Sequence, residues 1–91
     1  LGDLYTRKGY YEKGLFVDER LYKLRPKDPI VLYNLACSYS LTNQIDKAYK
    51  MIQLAIGYGY DDIQYLQMDK DLDNLRKDQR FREFYTRLEK T

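Results

Sequence analysis

Between Pro29 and Leu41 the side chains of Leu32, Leu35, Ala36 and Tyr39 fall at i, i+3, i+4 and i+7, which gathers them on one face of a helix. Asp28 stands where its carboxylate accepts from the first free amides, and Pro29 gives up an amide that would have no partner there. Thr42-Asn43-Gln44 interrupts the period, and Asn43 tolerates the left-handed backbone of a tight turn. A second helix is predicted from about Ile45 to Ile56, with Ile45, Ala48, Tyr49, Ile52, Ala55 and Ile56 on one face, ended by Gly57 and Gly59. The two segments read as an antiparallel hairpin.

The same pattern occurs upstream. Leu1-Gly2-x-x-Tyr5 recurs as Leu35-Ala36-x-x-Tyr39, and the interval of 34 residues carries Lys13 onto Lys47 and Gly14 onto Ala48. Residues 1–26 therefore predict a shortened first helix, a turn at Gly9 matching Asn43, and a helix from Tyr11 to about Leu24 stopped by Pro26. After Asp62 the register changes. Asp61-Asp62 is expected to cap a short helix holding Ile63, Tyr65 and Leu66, and Asp78 a last helix with Phe81, Phe84, Tyr85 and Leu88 at helical spacing. One domain results: residues 1–28 a shortened repeat, 29–62 a complete one, 63–91 terminal capping helices. An array needs such a cap because its last repeat otherwise exposes an apolar flank.

Composition narrows the function. Sixteen Lys plus Arg against fourteen Asp plus Glu leave a net charge of +2, with both signs interspersed, unlike the concentrated basic face that nucleic acid attracts. No apolar run approaches the roughly 18 residues of a membrane span. Cys37 is the single cysteine, so no intrachain disulfide forms and nothing points to an oxidising compartment; this leans slightly toward the cytoplasm and otherwise leaves localisation open. The chain opens at Leu1, inside a predicted helix, which is expected of a fragment whose targeting signals lie elsewhere.

These residues resemble the tetratricopeptide repeat, whose pattern runs aromatic-x-x-Leu-Gly-x-x-Tyr, then Ala-x-x-x-Phe, then Pro. The complete copy reads Leu32-x-x-Leu35-Ala36-x-x-Tyr39 and Ala48-x-x-x-Ile52, with Ala55 behind; the first keeps Leu1-Gly2-x-x-Tyr5, Gly14, Leu21 and Pro26. The resemblance implies an all-α solenoid of about five helices, stacked as a right-handed superhelix. Small residues at Gly2, Gly14, Ala36, Ala48 and Ala55 would let paired helices approach closely. The stretch Asp69-x-Asp71-Leu72-x-x-Leu75-Arg76-x-Asp78-x-Arg80-Phe81 is similar to caps that follow the last repeat in bacterial members. Two positions depart. Asp18 replaces a large apolar residue and is expected to be solvated on a slightly rotated helix rather than a buried acceptor for a tyrosine. Tyr60 replaces the closing proline, which is expected to soften the exit from the repeat.

The resemblance further implies a protein or peptide partner held in a concave groove, and the matching positions are Asp3, Thr6, Arg7, Ile30, Tyr33, Asn34, Cys37, Ser40 and Leu41. Asn34 corresponds to an asparagine that contacts the peptide backbone in relatives. Members that bind acidic chaperone tails use a clamp of Lys and Arg; the corresponding Asp3, Gln64 and Met68 supply none, so that partner class is not expected. Of the eleven tyrosines, Tyr5, Tyr39 and Tyr49 fit the core pattern, whereas Tyr10, Tyr22, Tyr33, Tyr58 and Tyr60 are expected to be partly exposed or to pack between repeats.

Catalysis and metal chemistry find little support. Cys37 has no histidine base anywhere in the chain and no second cysteine to resolve an oxidised sulfur. Asp69-Lys70-Asp71-Leu72-Asp73-Asn74 opens like a calcium loop, but Asn74 replaces the required glycine and Arg80 the closing glutamate, so no metal and no cofactor are expected. The function read from the sequence is a non-enzymatic interaction scaffold. The alternatives are a self-associating structural module that covers an exposed repeat edge with a second copy, or a regulatory appendage of a larger protein.

Overall fold

A computed structural model describes residues 2–90, with side chains from residue 9 onward. Every regular element among these residues is helical: α1 (Gly2–Leu24), α2 (Pro29–Leu41), α3 (Ile45–Gly57), α4 (Asp73–Arg76) and α5 (Gln79–Glu89), with short 3-10 turns at Gln64–Gln67 and Lys70–Leu72.

Local chemistry sets the boundaries. The Asp28 carboxylate accepts from the amides of Ile30 at 2.9 Å and Val31 at 3.4 Å, which fixes the start of α2 at Pro29. At its other end Asn43 takes a φ of 61°, and the amides of Asn43 and Gln44 turn back to the carbonyls of Ser40 and Tyr39. This is a Schellman closure, and α3 ends the same way. Gly59 has a φ of 115°, its amide reaches the Ile56 carbonyl, and that of Tyr60 reaches the Ala55 carbonyl at 2.9 Å. The exit from α3 is therefore closed rather than softened by Tyr60. A proline there would have no N–H to donate.

The first repeat departs from expectation. α1 runs through Gly9 without a turn, and a Cβ at Gly9 or Gly14 would meet nothing within 4 Å. A lone interior glycine weakens a helix by roughly 1 kcal/mol relative to alanine, too little to break one that lacks a proline. Among the described residues nothing approaches Gly14, so the close helix approach expected there is not seen. The expected packing of Leu1 and Tyr5 lies outside the described residues.

Short connections fold α1, α2 and α3 into successive antiparallel neighbours, with α2 in the middle and packed on both others. Their shared core contains Leu32, Leu35, Ala36, Ala48, Ile52 and Ala55, all with no solvent exposure. Alanines at three of these sites leave room for the α2 and α3 backbones to approach. The C-terminal segment extends this core with Leu66, Leu72, Leu75 and Phe81. Asp62 does cap, accepting from the Tyr65 amide at 3.3 Å, but the element it opens is a single 3-10 turn. That turn stops because Asp69 turns extended and caps the next one through the Asp71 amide at 2.9 Å. Asp78 caps α5 as expected, through the amide of Arg80. α5 docks on α3 by an edge-on contact of Tyr49 and Phe84 with ring centroids 5.9 Å apart, and Arg80 reaches Asp46 at 2.6 Å. That ion pair is exposed and screened by solvent, so the apolar contact governs the docking.

Two substitutions test this packing. Ala48→Leu forces three carbons into a filled slot and is expected to cost about 1–3 kcal/mol, lowering the melting temperature by several degrees; an unchanged melt argues against a filled slot. Gly9→Ala, by contrast, is expected to stabilise by up to about 1 kcal/mol in a continuous α1. A turn at that position would make the same change destabilising.

Candidate binding cleft

An open cleft of about 410 Å³ lies where α1, α2 and the segment after α3 meet, lined by Asp18, Tyr33, Asn34, Cys37, Ser38, Leu41, Tyr65, Asp69 and Asp71. α2 supplies its floor, because Tyr33, Asn34, Cys37 and Leu41 recur at helical spacing along one edge of that helix. Residues 64–72 form the opposite wall. Their two 3-10 turns present Tyr65, Asp69 and Asp71 toward α2.

Asp69 organises the wall. Its Oδ2 accepts from the Tyr33 hydroxyl and from Cys37 Sγ at 3.7 Å, while Oδ1 accepts from the Asp71 amide. Three donors let a carboxylate lie buried without a cation. The Tyr33 ring stacks on Tyr60, with centroids 4.5 Å apart and planes inclined by 3°, so the phenol is held from both ends. On the other side of the cleft Ser38 donates its hydroxyl to Asp18, and Tyr39 donates to Glu19 at 2.8 Å, joining α2 to α1. Asp18 is thus neither a freely solvated residue nor a tyrosine's acceptor; it is a half-buried acceptor for a serine.

The electrostatics keep protons in place. Burial, and then the hydrogen bond to Asp69, push the Tyr33 phenol well above its ordinary value. The Cys37 thiol is likewise raised, chiefly by burial and next by the charges of Asp69 and Asp71. It stays protonated at neutral pH, the opposite of an activated nucleophile. Partial burial, then Asp69 and Asp73, hold Asp71 above the usual carboxylate range. Cys37, Asp69 and Asp71 bring their ligand atoms within 4.8 Å of one another. Cys37 and Asp69 are already hydrogen-bonded to each other, and Asp73 of the calcium-like run is bonded to Arg76.

The expected groove residues divide. Tyr33, Asn34, Cys37 and Leu41 line the cleft, with Asn34 exposed and Leu41 half-buried. Of its two expected placements Tyr33 takes the packed one, buried because the segment after α3 folds over it. Ser40 is removed from the groove: it is inaccessible, its hydroxyl accepts from the Leu75 amide, and Asn74 donates to its carbonyl. Ile30 is exposed at the start of α2, outside the cleft. Asp3, Thr6 and Arg7 belong to the first turns of α1, and their side chains lie outside the described residues. The groove pattern did not include Ser38, Tyr65, Asp69 or Asp71. Only the alternating aspartates carried a signal, as the opening of a calcium-like loop.

No protein-family model matches the chain, and no solved structure matches it. Among curated proteins it is similar to a chloroplastic protein of Arabidopsis thaliana, at 31% identity over 80 residues. The match covers 85% of this chain and 24% of that protein, so the chain spans about a quarter of its relative's length.

The raised groups predict an alkaline weakness. An acid whose folded pKa lies above its unfolded value contributes stability that is complete below the unfolded value and is lost above it. Stability is therefore expected to fall from about pH 9, where an unfolded thiol ionises, through pH 12, the region to which burial and Glu19 raise Tyr39. Tyr33→Phe is expected to cost about 1–3 kcal/mol at pH 7 by leaving Asp69 short of a donor, yet to flatten the alkaline decline. Melts from pH 7 to 12 that run parallel in both forms would contradict this linkage.

Proposed function

We propose that this protein is a non-enzymatic interaction module of tetratricopeptide type, in which the cleft beside α2 receives an extended segment of a partner protein. The observation that carries the proposal is the cleft itself: an open groove gathers Asn34, Leu41, Tyr33 and Cys37 from α2, with a side-chain amide exposed on its floor. An amide that both donates and accepts pairs with either face of a peptide unit. Tyr65 offers an exposed ring beside it, and Asp18 and Asp71 offer acceptors at the rim. The protonated Cys37 and Tyr33 support binding over chemistry, since neither is poised to attack or to accept a proton.

The repeat reading rests on the 34-residue interval, on the α2/α3 hairpin with its three buried alanines, and on the Schellman turns at Asn43 and Gly59. The superhelical stacking of a solenoid and the use of residues 63–91 as its cap belong to the same proposal.

Selection of displayed extended peptides on the full chain tests it. Enriched peptides are expected to lose about tenfold or more in affinity on Asn34→Ala, Asp71→Lys, a variant that spares Tyr33 and Asp69 and should keep the wild-type melt. Equal affinity for both forms, or no enrichment on the folded chain, would reject the cleft as the working surface.

A further inference from the structure

The polar lining of the cleft divides by whether the protein satisfies it. Tyr33, Cys37 and Ser38 each donate to a carboxylate, and both oxygens of Asp69 accept. The Asp71 carboxylate, the Asn34 side-chain amide and the Tyr65 hydroxyl belong to exposed residues and have no hydrogen-bond partner among the described residues. The charge there is of one sign. Asp69 and Asp71 bring carboxylate oxygens within 4.8 Å of each other, Asp18 stands on the α1 side, and among the described residues no Lys or Arg lines the cleft. Burial and the like charges of Asp69 and Asp73 raise the Asp71 carboxyl, as expected where no cation offsets them. The exposed Tyr65 ring lies 6.5 Å, centroid to centroid, from that of Tyr33.

We infer that the partner segment carries an arginine and that the cleft seats its guanidinium against Asp71, Tyr65 and Asn34. The inference rests on the reading of the cleft as a peptide groove and adds the chemistry of its occupant. A guanidinium has donors alone, set in a planar fork. The fork matches the open Asp71 carboxylate, a remaining N–H suits the Asn34 carbonyl oxygen, and the flat face stacks on an aromatic ring such as Tyr65. Lysine is a compact, strongly hydrated charge that neither forks nor stacks in this way. An acidic segment would set like charges against Asp18 and Asp71. A divalent cation needs several free oxygens converging on it, and Asp69 has committed both of its own to donors inside the protein.

The test selects extended peptides from a random displayed library on the full chain and resynthesises those enriched. They are expected to share an arginine. Replacing it by citrulline, which keeps the shape and removes the charge, is expected to cost about tenfold or more in affinity by calorimetry, and replacing it by lysine about threefold or more. Binding should weaken as salt rises from about 0.05 to 0.5 M. Asp71→Asn keeps the size of an exposed side chain and should keep the wild-type melt. It is expected to weaken the arginine peptide about as much as citrulline does and to leave the citrulline peptide unchanged, because the two changes remove one interaction. Enriched peptides that share no arginine, yet lose affinity on Asn34→Ala, would overturn this inference and leave the groove standing. No enrichment on the folded chain would remove both. Citrulline or lysine peptides as tight as the arginine peptide, or a citrulline penalty that persists in Asp71→Asn, would also overturn it. So would calcium or zinc binding that Asp71→Asn abolishes and that expels the arginine peptide, by assigning the carboxylates to a metal.

Discussion

The burial of α2 on nearly every side sets the position of everything around it. From Val31 to Ser40 only Asn34 is exposed. A helix enclosed in this way cannot leave its polar groups to water, so each must find a partner in the element that covers it. Tyr33 finds Asp69, Ser38 finds Asp18, Tyr39 finds Glu19, and Ser40 takes the Leu75 amide. No buried side-chain nitrogen or oxygen among the described residues lacks a partner. The apolar contacts bring α1, α3 and the C-terminal segment to α2, while the hydrogen bonds fix their register. A slip of one residue would strand several buried groups at once, at about 1–3 kcal/mol each.

That enclosure explains what could be read from the chain and what could not. Helix ends were legible because they depend on neighbours in sequence: Asp28 with Pro29, Asn43, Gly59 and Asp78 each act within a few residues of their own position. The α2 and α3 core was legible because Leu32, Leu35, Ala48 and Ile52 obey one period. Gly9 misled because a residue that permits a turn does not demand one, and the choice rests on tertiary contacts. The depth of Tyr33 and the closure over Ser40 depend on a segment more than thirty residues away with no periodic pattern of its own. Its aspartates resembled the opening of a calcium loop, whereas Asp69 caps a 3-10 turn; that the same carboxylate also holds a tyrosine and a cysteine is a fact of folding.

Two exposed surfaces are of opposite character. The cleft beside α2 carries Asp18 and Asp71, with Tyr33 and Cys37 bonded to Asp69 and Ser38 to Asp18. Along α1, Phe16, Val17, Leu21 and Leu24 are exposed together with Lys13 and Arg20. A net charge of +2 conceals this division.

The stack of Tyr33 on Tyr60 also gives the molecule a built-in optical label. With no tryptophan in the chain, near-ultraviolet signals arise from tyrosine and phenylalanine, and Tyr33 and Tyr60 are held parallel with ring centroids 4.5 Å apart. Tyr33 belongs to α2 and Tyr60 to the start of the segment that closes over it. Exciton coupling between such rings falls steeply with distance, so the near-ultraviolet circular dichroism follows the seating of that segment while the far-ultraviolet signal follows the helices. Loss of the first before the second would mark a state in which the wall of the cleft has lifted from an intact bundle.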